Sequence, residues 1–307
     1  MRAFIFPGQG SQKVGMGVEL VGASSAARDT FGEVDEALGQ HLFKLMAEGP
    51  ADELTMTANA QPAIMAHSIA VLRTMGIDLA DKGDFVAGHS LGEYSALCGA
   101  DTFDLADTAR LLRIRGNAMQ EAVPVGMGAM AALLGVDIAK AEEIAAACSE
   151  GEVCEVANDN DPGQVVLSGH AGAIDRVVER AREMGAKRAI KLPVSAPFHC
   201  SLMKPAADRM AVALSEAGMR PPSAALYANV TAEPVREVDV IRDNLVRQVT
   251  GRVRWRESVA AMADAGVTQF VELGGKVLGP MVKKIVPDAE TVSIVSMDDI
   301  EAFAKEL

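Results

Sequence analysis

Short apolar runs alternate with longer amphipathic stretches along most of the chain, the pattern of strands packed between helices. Ala3-Phe4-Ile5-Phe6 and Phe85-Val86-Ala87 are continuous apolar runs that end at glycine-containing turns, as strands buried on both faces do. The alternation predicts an α/β fold with a mainly parallel sheet. Between residues 123 and 196 the pattern changes. There Ala129–Val136 reads as a strand, Ala139–Cys148 as a helix, Val153–Ala157 and Val165–Ser168 as two strands, Ile174–Met184 as a helix and Arg188–Leu192 as a strand. The βαββαβ order is that of a ferredoxin-like unit. The expectation is a large α/β domain formed by residues 1–122 and 197–307, a small ferredoxin-like domain of residues 123–196 inserted into it, and a ligand cleft between the two.

Gly88-His89-Ser90-Leu91-Gly92 lies where the second apolar run meets the helix-forming Glu93-Tyr94-Ser95-Ala96-Leu97. A serine on such a strand-to-helix turn has its hydroxyl pushed clear of the sheet, and glycines two positions to either side let neighbouring backbone pass. This is the nucleophile elbow of an α/β-hydrolase-like sheet, and it offers the backbone N–H of Leu91 to an oxyanion. In a chain with 28 glycines the motif alone leaves a serine acyl enzyme and a chance match both open.

The serine needs a base, and the chain has five histidines. His89 adjoins Ser90 and points away from it. His67, in the apolar run Ala63-Ile64-Met65-Ala66, reads as a core histidine, and His41 and His170 read as surface positions. His199 follows Val194-Ser195-Ala196-Pro197-Phe198, a strand end leaving through a proline-limited turn. That is where α/β enzymes carry catalytic loop residues, so His199 is the best candidate base.

Four segments in order carry a family resemblance: Phe6-Pro7-Gly8-Gln9-Gly10-Ser11-Gln12, the elbow continued through Glu93-Tyr94, Arg115-Gly116 followed by Met119-Gln120, and Pro197-Phe198-His199-Cys200. Together they resemble the malonyl-CoA:acyl carrier protein transacylase family, as do Asn160-Asp161-Pro162-Gly163-Gln164 with the strand behind it and Glu272-Leu273-Gly274-Gly275-Lys276-Val277-Leu278. The last segment lacks a residue that the family usually has between its glycines. The resemblance implies malonyl transfer from malonyl-CoA to the phosphopantetheine thiol of holo acyl carrier protein, by way of an acyl-serine and for fatty acid synthesis. It implies Ser90 as nucleophile, His199 as base, the backbone carbonyl of Gln248 behind the histidine, and Gln9 beside Leu91 in the oxyanion hole. Substrate binding falls to Arg115, Met119, Phe198, His89 and Asn160, with no metal and no cofactor.

Arginine's planar fork suits the free carboxylate of a malonyl group. Taken without the resemblance, Arg110, Arg113 and Arg115 also fit the solvated face of a helix. The ring of Phe198 would leave little room for a branch at the acyl α-carbon. A simple serine hydrolase would share elbow and base but has no use for an arginine in its acyl pocket, and a non-catalytic docking module has no need to keep Ser90 and His199.

The net charge of −13 argues against nucleic acid and anionic membrane as general partners. An acidic carrier protein would need a local basic rim, for which Lys187, Arg188 and Lys191 form one candidate group and Lys276, Lys283 and Lys284 another. Both groups also read as scattered solubilising charges. The four cysteines, Cys98, Cys148, Cys154 and Cys200, show no metal spacing and read as free thiols of a reducing compartment. Lys13 stands where a dinucleotide loop needs its third glycine. The first apolar run is too short for a signal segment and none approaches ~18 residues, so the expectation is a soluble, cytoplasmic protein; oligomeric state is open in the sequence, and the resemblance implies a chain that works as a monomer.

Overall fold

The computed structural model describes residues 1–194 and 196–306. In chain order the strands are β1 (Arg2–Phe6), β2 (Phe85–Gly88), β3 (Gly128–Leu134), β4 (Cys154–Asp161), β5 (Gln164–His170), β6 (Arg188–Lys191), β7 (Ala225–Tyr227), β8 (Pro234–Val235), β9 (Gln269–Leu273) and β10 (Glu290–Ile294). One sheet has the order β10-β9-β1-β2-β7-β8, parallel throughout except for the β7/β8 edge. β1 is its spine. Phe4 pairs with Val86 on one side and Val271 on the other, and Ala3 through Phe6 are fully buried, which is why that segment reads as an unbroken apolar run.

The second sheet has the order β4-β5-β3-β6 and is antiparallel. Alternation along β3 separates its two faces. Ala129, Ala131 and Leu133 pack with Ile144, Ala145 and Cys148 of the Ile138–Ser149 helix and with Ile174 and Val177 of the Ala171–Arg180 helix. Met130 and Ala132 face the other way, into the core shared with the larger sheet. Both faces are buried, so the strand lacks the polar alternation of a half-exposed one. The backbone joins the two sheets where Val253 N–H donates to Ala157 O and Asp159 N–H to Val253 O. Arg256 grips the buried Asp159 carboxylate at 2.7 Å on the same seam, and Lys284 pairs with the buried Asp161 at 2.9 Å.

The structure moves some expected bounds. The helix read as Ile174–Met184 runs from Ala171 to Arg180, because His170 ends β5 in extended conformation and the helix starts at once. β6 stops at Lys191, so the described residues between it and His199 are irregular and not a strand end; Ser195, in that segment, lies outside the described residues. His170 is half-buried, its Nδ1 accepting the Val153 N–H at 2.9 Å. Among the described residues no helix is long and apolar enough to cross a membrane.

Candidate active site

β2 ends at Gly88 and the helix Gly92–Gly99 begins four residues later, so the chain reverses within the elbow. A Cβ on Gly88 would lie 1.9 Å from Gly92 O, and one on Gly92 would lie 2.2 Å from Phe6 O. Neither position tolerates a side chain. The turn forces Ser90 to φ 55, a left-handed conformation costly for a residue with a Cβ. Asn229 holds it there: its Oδ1 accepts the Ser90 N–H at 2.8 Å while its Nδ2 donates to Gly88 O at 2.7 Å.

His199 also sits at positive φ, 58, on the turn after Pro197. Its Nε2 lies 2.7 Å from Ser90 Oγ and its Nδ1 lies 2.8 Å from the backbone O of Gln248, in the helix Val238–Thr250. A carbonyl only accepts, so Nδ1 carries the ring proton and Nε2 is left free to accept from the serine hydroxyl. Burial, with the Arg115 cation adding to it, pushes the His199 pKa down to about 3. The imidazole is therefore neutral across the physiological range.

Arg115 is buried to 1 % exposure, which removes the solvated-face reading for this residue; Arg110 does lie exposed, paired with Asp107. The helix Leu105–Glu121 packs so tightly on the helix Thr57–Met75 that a Cβ on Gly116 would lie 2.6 Å from Ala58 Cα, and this approach carries Arg115 inward. Its Nη2 donates to Ser90 Oγ at 3.1 Å and to Gln248 Oε1 at 2.7 Å, and its Nη1 to Gln61 Oε1 at 2.8 Å. Gln61 Nε2 donates to Thr57 Oγ1, and that hydroxyl donates to Gln9 Oε1. Burial lowers the arginine's pKa, opposed by Tyr94 and Glu93.

Gln9, His89, Ser90, Leu91, Arg115, Met119, Phe198 and His199 line one cavity of about 270 Å³, closed on its far side by Met130, Asn158 and Leu192 from the second sheet and its margin. Asn160 is not in the lining. It lies behind His89, whose Nε2–H donates to its Oδ1 at 2.8 Å, and Asn158 occupies the position toward the cavity. A larger groove of about 540 Å³ contains Cys98, but burial pushes that thiol up to about 12, which leaves it without nucleophilic character. Among the described residues no group of His, Cys, Asp and Glu could hold a metal ion.

Sequence reasoning did not single out three residues of this network. Glu93, 1 % exposed, accepts from Gln248 Nε2 and from the Asn229 N–H. Asn229 and Gln61 are the others. Of the basic rim candidates, Lys191 is paired with Asp175, Lys276 with Asp299 and Lys284 with Asp161, while Lys187 and Arg188 are exposed.

Comparison with known proteins identifies the family. The family model described as acyl transferase domain matches residues 3–279. The malonyl CoA-acyl carrier protein transacylase of Escherichia coli (strain K12) is 45% identical over 306 residues, covering 99% of both chains. The crystal structure of acyl-carrier-protein-S-malonyltransferase from Bartonella henselae superposes with a TM-score of 0.97 at 51% identity, over 99% of this chain and 98% of that one. A malonyl-transacylase solved in complex with its type II PKS acyl-carrier protein gives a TM-score of 0.95 at 38% identity, over 100% of this chain and 99% of the other. With a family model that matches residues 3–279 and relatives similar over the full chain, the chain belongs to the acyl transferase domain family.

Proposed function

We propose that the protein transfers a malonyl group from malonyl-CoA to the phosphopantetheine thiol of an acyl carrier protein through a malonyl-Ser90 intermediate, supplying fatty acid synthesis. One observation carries the reading: Ser90 Oγ stands within hydrogen-bond distance of a neutral imidazole nitrogen and of a buried guanidinium in the same cavity. The first makes the serine a nucleophile, and the second is an anchor for an acyl group that ends in a carboxylate. The full-length similarity to malonyl CoA-acyl carrier protein transacylases supports the same assignment.

In the first half-reaction Ser90 Oγ attacks the thioester carbonyl as His199 Nε2 takes its proton. The backbone N–H groups of Leu91 and Gln9 receive the oxyanion. Collapse breaks the C–S bond, and His199 returns the proton to the departing CoA sulfur. The carrier protein's thiol then runs these steps in reverse order, which gives ping-pong kinetics. The Gln248 carbonyl keeps His199 in the tautomer with Nε2 free, taking the place of a triad carboxylate. Arg115 turns its Nη2 from Ser90 and Gln248 to the malonyl carboxylate, while Met119 and Phe198 shape the space around the acyl chain. His89, held from behind by Asn160, forms part of the wall. The nucleophile, base and anchor are all side chains, so the reaction calls for neither metal nor cofactor, and we assign it to a cytoplasmic monomer.

Intact-protein mass spectrometry after mixing with malonyl-CoA tests this directly. The native chain should gain one malonyl group on Ser90 and release it only to a thiol acceptor. Ser90→Ala should gain none, and His199→Ala should acylate more slowly by a factor on the order of 10² or more. An adduct on the alanine variant, or rapid loss of malonate to water in place of transfer, overturns the assignment.

A further inference from the structure

Glu93 is a carboxylate sealed beneath the acyl cavity. It stands in the first turn of the helix Gly92–Gly99, 1 % exposed, three residues from the nucleophile. Its Oε2 accepts from Gln248 Nε2 and its Oε1 from the Asn229 N–H at 3.3 Å. The same Gln248 amide accepts from Arg115 through Oε1 at 2.7 Å. One neutral side chain therefore bridges a buried acid behind the cavity and the buried cation that lines it. A buried charge without a partner costs far more than a paired one, so whatever binds Arg115 must disturb Glu93.

We propose that Glu93 is the switchable counter-ion of Arg115: it balances the guanidinium while the cavity is empty and takes up a proton when the malonyl carboxylate takes over that task. The proposal rests on the malonyl transfer set out above and adds a proton to its ledger. Acylation itself is proton-neutral, since the Ser90 proton leaves on the CoA sulfur. The extra proton comes from solvent onto a Glu93 oxygen and returns when the acyl group departs to the carrier thiol. Charge in the cavity stays constant through both steps.

The titratable surroundings fit this assignment. Arg115, from the helix Leu105–Glu121, is the charged group acting on Glu93. Tyr94, beside it on its own helix, is a phenol pushed upward by burial and stays neutral. His199, on the neighbouring loop, and His89, on the elbow, are both pushed down and stay neutral. The contacts from Val238–Thr250 and from the Asn229 turn, Gln248 and Asn229, do not titrate. Burial lifts Glu93 itself to about 7, against the pull of those hydrogen bonds and of Arg115, so a second negative charge at Arg115 arrives at a group already close to protonation.

Proton counting tests the idea. Weakly buffered enzyme at pH 8, mixed with malonyl-CoA in the presence of an indicator dye, should take up close to one proton per malonyl group found on Ser90 by mass. Acetyl-CoA releases the same CoA thiol but brings no carboxylate, and should show none of this uptake. Glu93→Gln puts an amide of the same shape in place of the carboxylate, should still accept malonyl on Ser90, and should lose the uptake. The malonylation equilibrium of the native chain should weaken toward tenfold per pH unit above about 7, while that of Glu93→Gln stays flat. Uptake equal for both acyl groups, or retained in Glu93→Gln, overturns the proposal and leaves malonyl transfer standing. If the variant does not fold, the malonyl-against-acetyl difference in the native chain decides alone. Absence of malonyl on Ser90 in the native chain refutes the transfer reading itself.

Discussion

Removing the guanidinium of Arg115 separates substrate choice from chemistry. In the free protein Arg115 donates to Ser90, Gln248 and Gln61, and it is buried, with little surface for water to replace what it binds. A malonyl carboxylate brought into the cavity of Arg115→Ala would be a buried charge without its partner. Losing one side of a buried, hydrogen-bonded charge pair costs roughly 2–4 kcal/mol, which is about 30- to 1000-fold in kcat/KM for malonyl-CoA.

An acetyl group offers the cation nothing to bind. For acetyl-CoA the change removes a hydrogen bond to the nucleophile but also one of the three causes that hold His199 at about 3, after burial the largest, and a histidine with a higher pKa is a stronger base. The two effects oppose, so acetyl transfer should change little or rise. The assay is the ratio of kcat/KM for malonyl-CoA to that for acetyl-CoA with one carrier protein, and that ratio should fall by the full 30- to 1000-fold. Arg115→Lys should fall nearly as far, because an ammonium cannot reach Gln61, Gln248 and the substrate from one point. Equal losses for both acyl groups would mean that Arg115 serves the fold through its glutamine partners, and the anchor role would be refuted.

Two other outcomes follow from charges elsewhere. An acidic carrier protein approaching a chain of net charge −13 needs a local positive rim, and Lys187 and Arg188 are two of its exposed members; reversing both to Glu should raise KM for holo carrier protein more at low salt than at high, with little effect on free pantetheine, whereas unchanged low-salt kinetics would move docking to another face. His67 is buried, its Nδ1 3.1 Å from Gly274 O, and burial pushes it down to about 4. Because its folded pKa lies below the unfolded value near 6.5, the neutral ring's contribution is complete above that pH and is lost as pH falls toward 4, about 2 kcal/mol of it by pH 5. Urea unfolding at pH 7.5 and 5 should show a loss about 2 kcal/mol larger in the native chain than in His67→Gln, since the buried His199 and His89 are depressed in both and contribute to both alike; equal losses would exclude His67 as the source.

What was legible in the sequence had local causes. Gly88 and Gly92 are required by backbone approaches inside one short turn, so the elbow is written in five consecutive residues. β1 and β2 read correctly because strands buried on both faces leave no polar alternation. The Gln248 carbonyl has no residue-type signature, since any residue at that position carries one, and only the family resemblance pointed to it. Arg115 was ambiguous because Arg110 and Arg113 made the helix look uniformly basic. A signal was present: three and four residues to either side of it stand Leu111, Leu112, Ala118 and Met119, all buried, so the arginine falls on the apolar face. Glu93 was passed over as a helix former at a first turn, although the run Tyr94-Ser95-Ala96-Leu97-Cys98 after it is wholly buried and a carboxylate within such a run must find partners. Asn229 and Gln61 gave no such warning. Each is a neutral amide in unremarkable surroundings whose role exists only after folding.

The nucleophile and the base share an unusual expense. Ser90 and His199 both hold positive φ without being glycine, at on the order of 1–3 kcal/mol each, and both sit on turns, where geometry is least fixed by regular hydrogen bonding. A single residue on a regular element offsets this. The backbone carbonyl of Gln248 accepts a hydrogen bond from His199 Nδ1–H, while its side-chain Nε2 donates to Ser90 O at 2.9 Å and to Glu93 and its Oε1 accepts from Arg115. Helix Val238–Thr250 thereby fixes base, nucleophile backbone, anchor and buried acid relative to one another with one side chain and one carbonyl. Only the side-chain half of that junction changes when a substrate carboxylate draws Arg115 away, because the His199 bond belongs to the backbone. The geometry of proton transfer is thus insulated from occupancy of the acyl cavity, and the same Ser90–His199 pair can serve both half-reactions, one beginning with the cavity empty and the other with it filled.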